Sequence, residues 1–425
     1  MNTRYQTYAQ AHTRKEGYYA GFLFLIWPFL AAISAVWNFR KPWAKNIFWA
    51  FCAFYGMSFA IGAESQGSDI VRYVAGYQAL HGAQMGVGEV ITYFLQSGEI
   101  DILRLLISYV LSRFTDSQAA LTLVYGAIFG YFLSRNLWFI LERLEGKVAP
   151  IVILLILCFF LVNPIWKING FRMWTAVHVF LFGLLPWLLN GEKKWLWVSV
   201  MSILVHFSFV VPVGVLIGYV FLGNRLNIFF GFYLFTFFIA ELDIAVFNDL
   251  MQSYAPEILQ ERTASYRSET NIVSRPMEEN KNNWYIRWQG AALSWPIMGF
   301  IITLFWTGRD FFKENTGWAS LFSFTLLFYG VANILSSLPS GGRFMVIGQL
   351  CALALIILYV QNRPHEKAIS RLALFASPGL LLYVIVEIRV ALLSMSATTV
   401  LGNPVLAMFL SGEQLSLNDV LKMLI

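Results

Sequence analysis

The sequence predicts an all-α polytopic membrane protein, and three observations carry that expectation. Charged residues make up 13% of the chain, about half the roughly 25% of soluble domains. Mean hydropathy is +0.62. Runs of about twenty apolar residues, enough to cross a bilayer as a helix, recur from residue 17 to residue 391. Lipid can solvate the outside of such a bundle, so a single integral membrane domain is expected over 1–425, with about ten to twelve membrane helices. The net charge of +6 is modest and scattered, so no nucleic-acid partner is expected; Lys and Arg report topology instead. Cys52, Cys158 and Cys351 sit in apolar runs without metal-type spacing, so neither a disulfide nor a metal site is expected.

The elements follow in order. Residues 1–16 are polar, and the first apolar run, 17–38, is long enough to span and lacks a small-residue cleavage site. A second span is expected at 46–63. A first outer region, 64–116, opens with Asp69, Arg72, Tyr73 and Tyr77 at i, i+3, i+4 and i+8, which a helix places on one face, with Ser68 as N-cap. Residues 99–114 carry Asp101, Arg104 and Ser108 near one side, and read as an amphipathic helix lying at the interface. Further spans are expected at 117–140, 148–166 and 173–190. Residues 195–224 contain no Asp, Glu, Lys or Arg, but do hold His206, Pro212, Gly214 and Gly218. They read as a bent hairpin or broken helix. A span at 226–246 leads to a long outer loop, 247–287. Spans at 288–308, 316–337, 343–361 and 371–391 precede a C-terminal tail, 392–425. Lys/Arg placement puts the helix that begins at Asp69 outside and loops such as those with Arg225, Arg309 and Lys313 inside.

Polar groups recur at the expected outer side: Asp69, Arg72 and Tyr73; Lys167 and Arg172 in KINGFRMW; His206 and Ser208 in VHFSFVVPV; and Arg343 after the Pro339, Gly341, Gly342 turn. Any single Arg there could simply snorkel to headgroups. Several converging guanidiniums would instead suit a diphosphate, which Arg binds bidentately. An imidazole within a span needs a partner and faces the bundle interior. His178 reads as structural; His12, His81 and His365 read as surface residues.

The order of these motifs, G-S-D-I-V-R-Y at 67–73, N-G-F-R-M at 169–173, H-F-S at 206–208 and S-G-G-R-F at 340–344, resembles the EpsG-like and Wzy-type integral membrane polysaccharide polymerases. The chain departs from the family pattern at Ile70, which replaces an aromatic, and at Met173, which replaces a glutamine. The resemblance implies a GT-C-like helical glycosyltransferase of the bacterial inner membrane, with its site facing the periplasm or exterior. It would polymerise undecaprenyl-diphosphate-linked oligosaccharide repeat units without a cofactor, metal or nucleotide sugar. The implied catalytic residues are Asp69, Arg172, His206 and Arg343, with Asp69 as the base and His206 as runner-up. Arg72, Tyr73, Tyr77, Lys167 and Ser208 would bind substrate. Partners would be the lipid-linked oligosaccharides, the bilayer and, in the same pathway, a chain-length regulator and a flippase. The alternatives are a polysaccharide ligase using the same donor, a lipid-linked oligosaccharide transporter or flippase, and a membrane O-acetyltransferase.

Overall fold

The computed structural model describes residues 15–61, 68–83, 85–97, 101–240, 283–338, 340–363, 366–410 and 415–424. The described residues form helices joined by short turns, with only isolated bridges, such as Phe59 to Met395, in place of strands. In chain order they are α1 (15–26), α2 (Pro28–Trp37), α3 (Ala44–Met57), α4 (Asp69–Ala83), α5 (Val87–Ser97), α6 (Ile102–Ser112), α7 (Gln118–Leu141), α8 (Pro150–Val162), α9 (Phe171–Asn190), α10 (Leu196–Val205), α11 (Val210–Leu222) and α12 (Leu226–Ala240). After residues 241–282 come α13 (Trp284–Thr307), α14 (Arg309–Glu314), α15 (Thr316–Ser336), α16 (Met345–Asn362), α17 (Lys367–Ala391), α18 (Ala397–Leu401), α19 (Pro404–Phe409) and α20 (Leu417–Leu424).

Six stretches among the described residues are long and apolar enough to cross a membrane, one of them, Pro150–Asn190, holding two of the expected spans, and four shorter apolar helices accompany them. The chain is a multi-pass membrane protein. Local breaks shorten several of the apolar runs. Pro28 interrupts the first run, α3 is 14 residues long, and Pro150–Asn190 is two helices broken by a 3-10 turn, Ile165–Gly170. Within 195–224, α10 and α11 have 10 and 13 residues. Each is too short for a hydrocarbon core about 30 Å thick; Ser208 lies by Met173 at the start of α9 and Tyr219 packs on Trp187 near its end, so the segment is a hairpin with its tip at His206–Phe209. Residues 247–282 of the expected long loop lie outside the described residues; 283–287 already lead into α13.

The core is centred on α16, whose residues Leu350–Ile357 are shielded from every side. Around it pack α7, α8, α9, α13 and α15. At the periphery α13 and α17 present Trp284, Trp288, Trp295, Leu374 and Phe375 outward, as lipid-facing helices do. The closest backbone approach joins α3 to α7. A Cβ on Gly126 would lie 2.5 Å from the Cys52 carbonyl oxygen, and Gly130 lies directly under the Cys52 side chain. A small residue every fourth position permits this seam. The tail returns to α3: Ser396 donates to the Ser58 carbonyl (2.7 Å), and Tyr55 and Ser394 share a hydrogen bond of 2.9 Å.

Candidate functional site

The site begins where a helix ends. His206 takes an extended conformation (φ −150°, ψ 118°), which stops α10 before the 3-10 turn Phe207–Phe209. A break of this kind strands the next amide without an intrahelical acceptor. The carboxylate of Asp101 fills the gap: Phe207 N donates to Asp101 Oδ1 at 2.8 Å. Asp101 precedes α6, where an aspartate ordinarily caps its own helix. Here it makes no such cap. Its side chain turns away, toward α9 and the hairpin tip.

Asp101 Oδ2 takes two further partners. Arg172 Nη1 donates to it at 2.9 Å, and His206 Nδ1 lies 3.0 Å away. Asp101 is only 5% exposed. Burial pushes its pKa up. The His206 hydrogen bond and charge, the Phe207 amide and the Arg172 charge outweigh burial and hold the carboxyl below its ordinary value. It is therefore ionised at neutral pH. An ionised carboxylate only accepts hydrogen bonds, so Nδ1 carries the proton that it shares with Asp101. Nε2 has no hydrogen-bond partner among the described residues.

Arg172 sits at the second position of α9, delivered there by the 3-10 turn. Its Nε donates to the Tyr73 hydroxyl at 2.7 Å, and its guanidinium lies 5.2 Å from the Tyr73 ring centre. Arg104, buried on the inner side of α6, lies 5.1 Å from the same ring. Behind Tyr73 stands Tyr125, edge-on to it and stacked on Phe171 at 3.9 Å. Three helices, α4, α6 and α9, and the hairpin tip thus meet at one polar cluster of Tyr73, Asp101, Arg104, Arg172 and His206.

The residues singled out from sequence divide around this cluster. Tyr73, Arg172 and His206 are in it. Asp69 adjoins it, 3.9 Å from where a Cβ on Gly170 would stand. Arg343 joins the same end of the bundle: Phe344 packs edge-on to Phe209 of the hairpin tip at 6.3 Å, and Ser340 supplies the turn in the left-handed region (φ 62°). Its own side chain is exposed. Ser208 is at the tip, with Oγ 3.9 Å from Met173 Sδ. Pro339 and Gly67 lie outside the described residues.

Four of the singled-out residues sit elsewhere. Arg72 does not turn inward: its side chain is 59% exposed and pairs with Asp69 at the surface. The buried stripe of α4 is Ile70, Tyr73, Val74, Tyr77 and Leu80, so Arg72 falls beside it. Tyr77 is buried, and its hydroxyl donates to the Thr115 carbonyl, a structural tie. Lys167 is engaged elsewhere: Nζ donates to the Val162 carbonyl at 2.6 Å and lies 4.4 Å from the Trp174 ring. Ser68 Oγ, expected as an N-cap, is buried without a hydrogen-bond partner. His178 is structural, with Nε2 2.9 Å from the Asn163 carbonyl oxygen.

Sequence reasoning missed Asp101 and Arg104 as site residues. Their signal was present, since Asp101, Arg104 and Ser108 share one side of α6. An amphipathic helix at an interface was expected to show that side to water. It packs inward instead, while Ile102, Leu106 and Val110 are exposed.

No curated protein and no solved structure matches the chain. The EpsG family model matches residues 47–396, well over half of the chain and the span that contains every residue of the cluster. The chain belongs to the EpsG family, the family of Wzy-like polysaccharide polymerases.

Proposed function

We propose that this chain polymerises undecaprenyl-diphosphate-linked oligosaccharide repeat units by glycosyl transfer at the outer face of the inner membrane, with Asp101 and His206 handling the proton. The supporting observation is the sharing of one buried carboxylate by Arg172, His206 and the Phe207 amide. His206 Nε2 is then the base. It takes the proton of an acceptor sugar hydroxyl as that oxygen attacks the anomeric carbon of the donor. The bond broken is the one from that carbon to the diphosphate oxygen. Undecaprenyl diphosphate leaves with added negative charge, which fixed guanidiniums stabilise in the transition state. Arg172 spends Nε on Tyr73 and Nη1 on Asp101, which leaves Nη2 for the diphosphate. Arg343 is a second, exposed cation at the same end, and Arg104 adds positive charge behind Tyr73. The base role moves from Asp69 to His206, because Asp69 is engaged by Arg72. No metal or nucleotide sugar enters this scheme.

The test is polymer length in a host that lacks this activity but still makes the lipid-linked unit. Arg172→Ala and Arg343→Ala should each shorten the polymer and let the lipid-linked unit accumulate. His206→Ala should slow chain growth about 10²–10⁴-fold, the usual worth of a positioned base. Asp69→Asn should polymerise at a rate within about tenfold of the parent. Unchanged chain length in both arginine variants would remove the diphosphate clamp, and transfer of single blocks by the parent protein would favour a ligase.

A further inference from the structure

A second polar site lies at the opposite end of the bundle. From the hairpin tip, α11 runs 13 residues to Leu222, about 20 Å away from the Asp101 cluster at 1.5 Å per residue. There the turn after α11, the start of α12 and the short helix α14 enclose a cavity of about 720 Å³. Its wall includes Arg225, Arg309 and Lys313 beside Leu222, Ile228 and Phe312, and it contains no acidic residue.

The turn is held in place. Gly223 takes a left-handed φ of 66°. The Tyr219 hydroxyl donates to Asn224 Oδ1, Asn224 Nδ2 donates to Ser320 Oγ at 3.0 Å, and Arg225 N donates to Ser323 Oγ at 3.2 Å. Arg225 is therefore presented by a pinned backbone. Arg309 lies against aromatic rings, 5.1 Å from the centre of Phe305 and 5.6 Å from that of Trp306, as a guanidinium at the edge of a membrane does. Lys313 pairs with Asp310, whose carboxylate is 91% exposed and so faces solvent. Three cations thus meet in one cavity with an apolar wall at its side. A free phosphate would use the cations and leave that wall idle.

We propose that this cavity binds the phosphate headgroup of an anionic phospholipid, with Arg225, Arg309 and Lys313 on the phosphate and Leu222, Ile228 and Phe312 against the first methylenes of the acyl chains. Basic pockets between membrane helices recognise lipid headgroups in this way. The site is independent of the polymerase reading, since its readout is binding.

The experiment is native mass spectrometry and thermal melting of the purified full-length chain in a neutral detergent, with phosphatidylglycerol, phosphatidylcholine or inorganic phosphate added. Phosphatidylglycerol should remain bound and raise the melting temperature; the other two should do neither. The triple variant Arg225→Gln, Arg309→Gln, Lys313→Gln should weaken phosphatidylglycerol binding at least tenfold. If that variant does not fold, Arg225→Gln and Arg309→Gln alone should each weaken it about threefold. Equal retention of phosphatidylcholine, an equal effect of inorganic phosphate, or unweakened binding by the variants would overturn the proposal.

Discussion

Asp101 is the junction of the polar cluster. It holds Arg172 at 2.9 Å, His206 at 3.0 Å and the Phe207 amide at 2.8 Å. Removing its charge leaves the half-buried Arg172 against Tyr73 without its acid, and since breaking a fully buried pair costs about 3–5 kcal/mol, the loss here should be at or below the lower end of that range. Asp101→Asn should therefore lower the melting temperature of the purified protein, as well as slowing polymer growth to a degree comparable with His206→Ala. The pH dependence follows in sign. Asp101 is held below its ordinary pKa in the folded protein, so its contribution is fully present above the unfolded value of about 3.9 and is lost as pH falls through the lower folded value. Melting of the parent and of Asp101→Asn, compared from pH 8 downward, should show a gap that stays constant to about pH 5 and closes only below about pH 4. A gap that closes between pH 7 and pH 5 would mean that Asp101 is not the ionised member of the cluster.

At the scale of elements, two short helices decide the site. α6 is only 11 residues long and turns its polar side inward. The break between α10 and α11 exposes the amide that Asp101 satisfies. Hydrophobic periodicity cannot tell whether the polar side of such a helix meets water or a buried cluster, because both leave the same spacing. That is why Arg104 read as interfacial although it is buried, and why Arg72 read as sharing the face of Tyr73 and Tyr77 although it falls beside their buried stripe. His206 was legible, because an imidazole flanked by apolar residues has few places to go except a partner. Its partner was not legible, since Asp101 lies 105 residues earlier. The seam between α3 and α7 makes a separate prediction. Gly126→Leu would force the two helices apart at Cys52, and overpacking of this kind costs about 1–3 kcal/mol. A melting temperature unchanged from the parent would show that the seam tolerates side chains.

For the molecule as a whole, composition was enough to establish an all-α membrane bundle, and the order of four short motifs was enough to indicate the family that the match over residues 47–396 bears out. The number of crossings was less legible. The break at His206 and the division between α8 and α9 were expected, whereas the run 17–38, broken before Pro28, looks continuous to a hydropathy window yet folds as shorter pieces. The whole bundle also separates its chemistry by end. Tyr73, Asp101, Arg104, Arg172, His206 and Arg343 gather at one end, and Arg225, Arg309 and Lys313 at the other. A path for moving a charged substrate across the membrane would instead carry such groups along its length.

We propose that polymer growth on this chain depends on the proton-handling Asp101–His206 pair. It is tested most directly by incubating the purified full-length protein with undecaprenyl-diphosphate-linked repeat units alone. No nucleotide sugar, divalent metal or ion gradient is supplied. The parent protein should produce polymer and release undecaprenyl diphosphate in step with each added unit, while Asp101→Asn and His206→Ala, purified as folded proteins, should not do so at a comparable rate. Polymer made equally well by both variants, or none made by the parent, would contradict it.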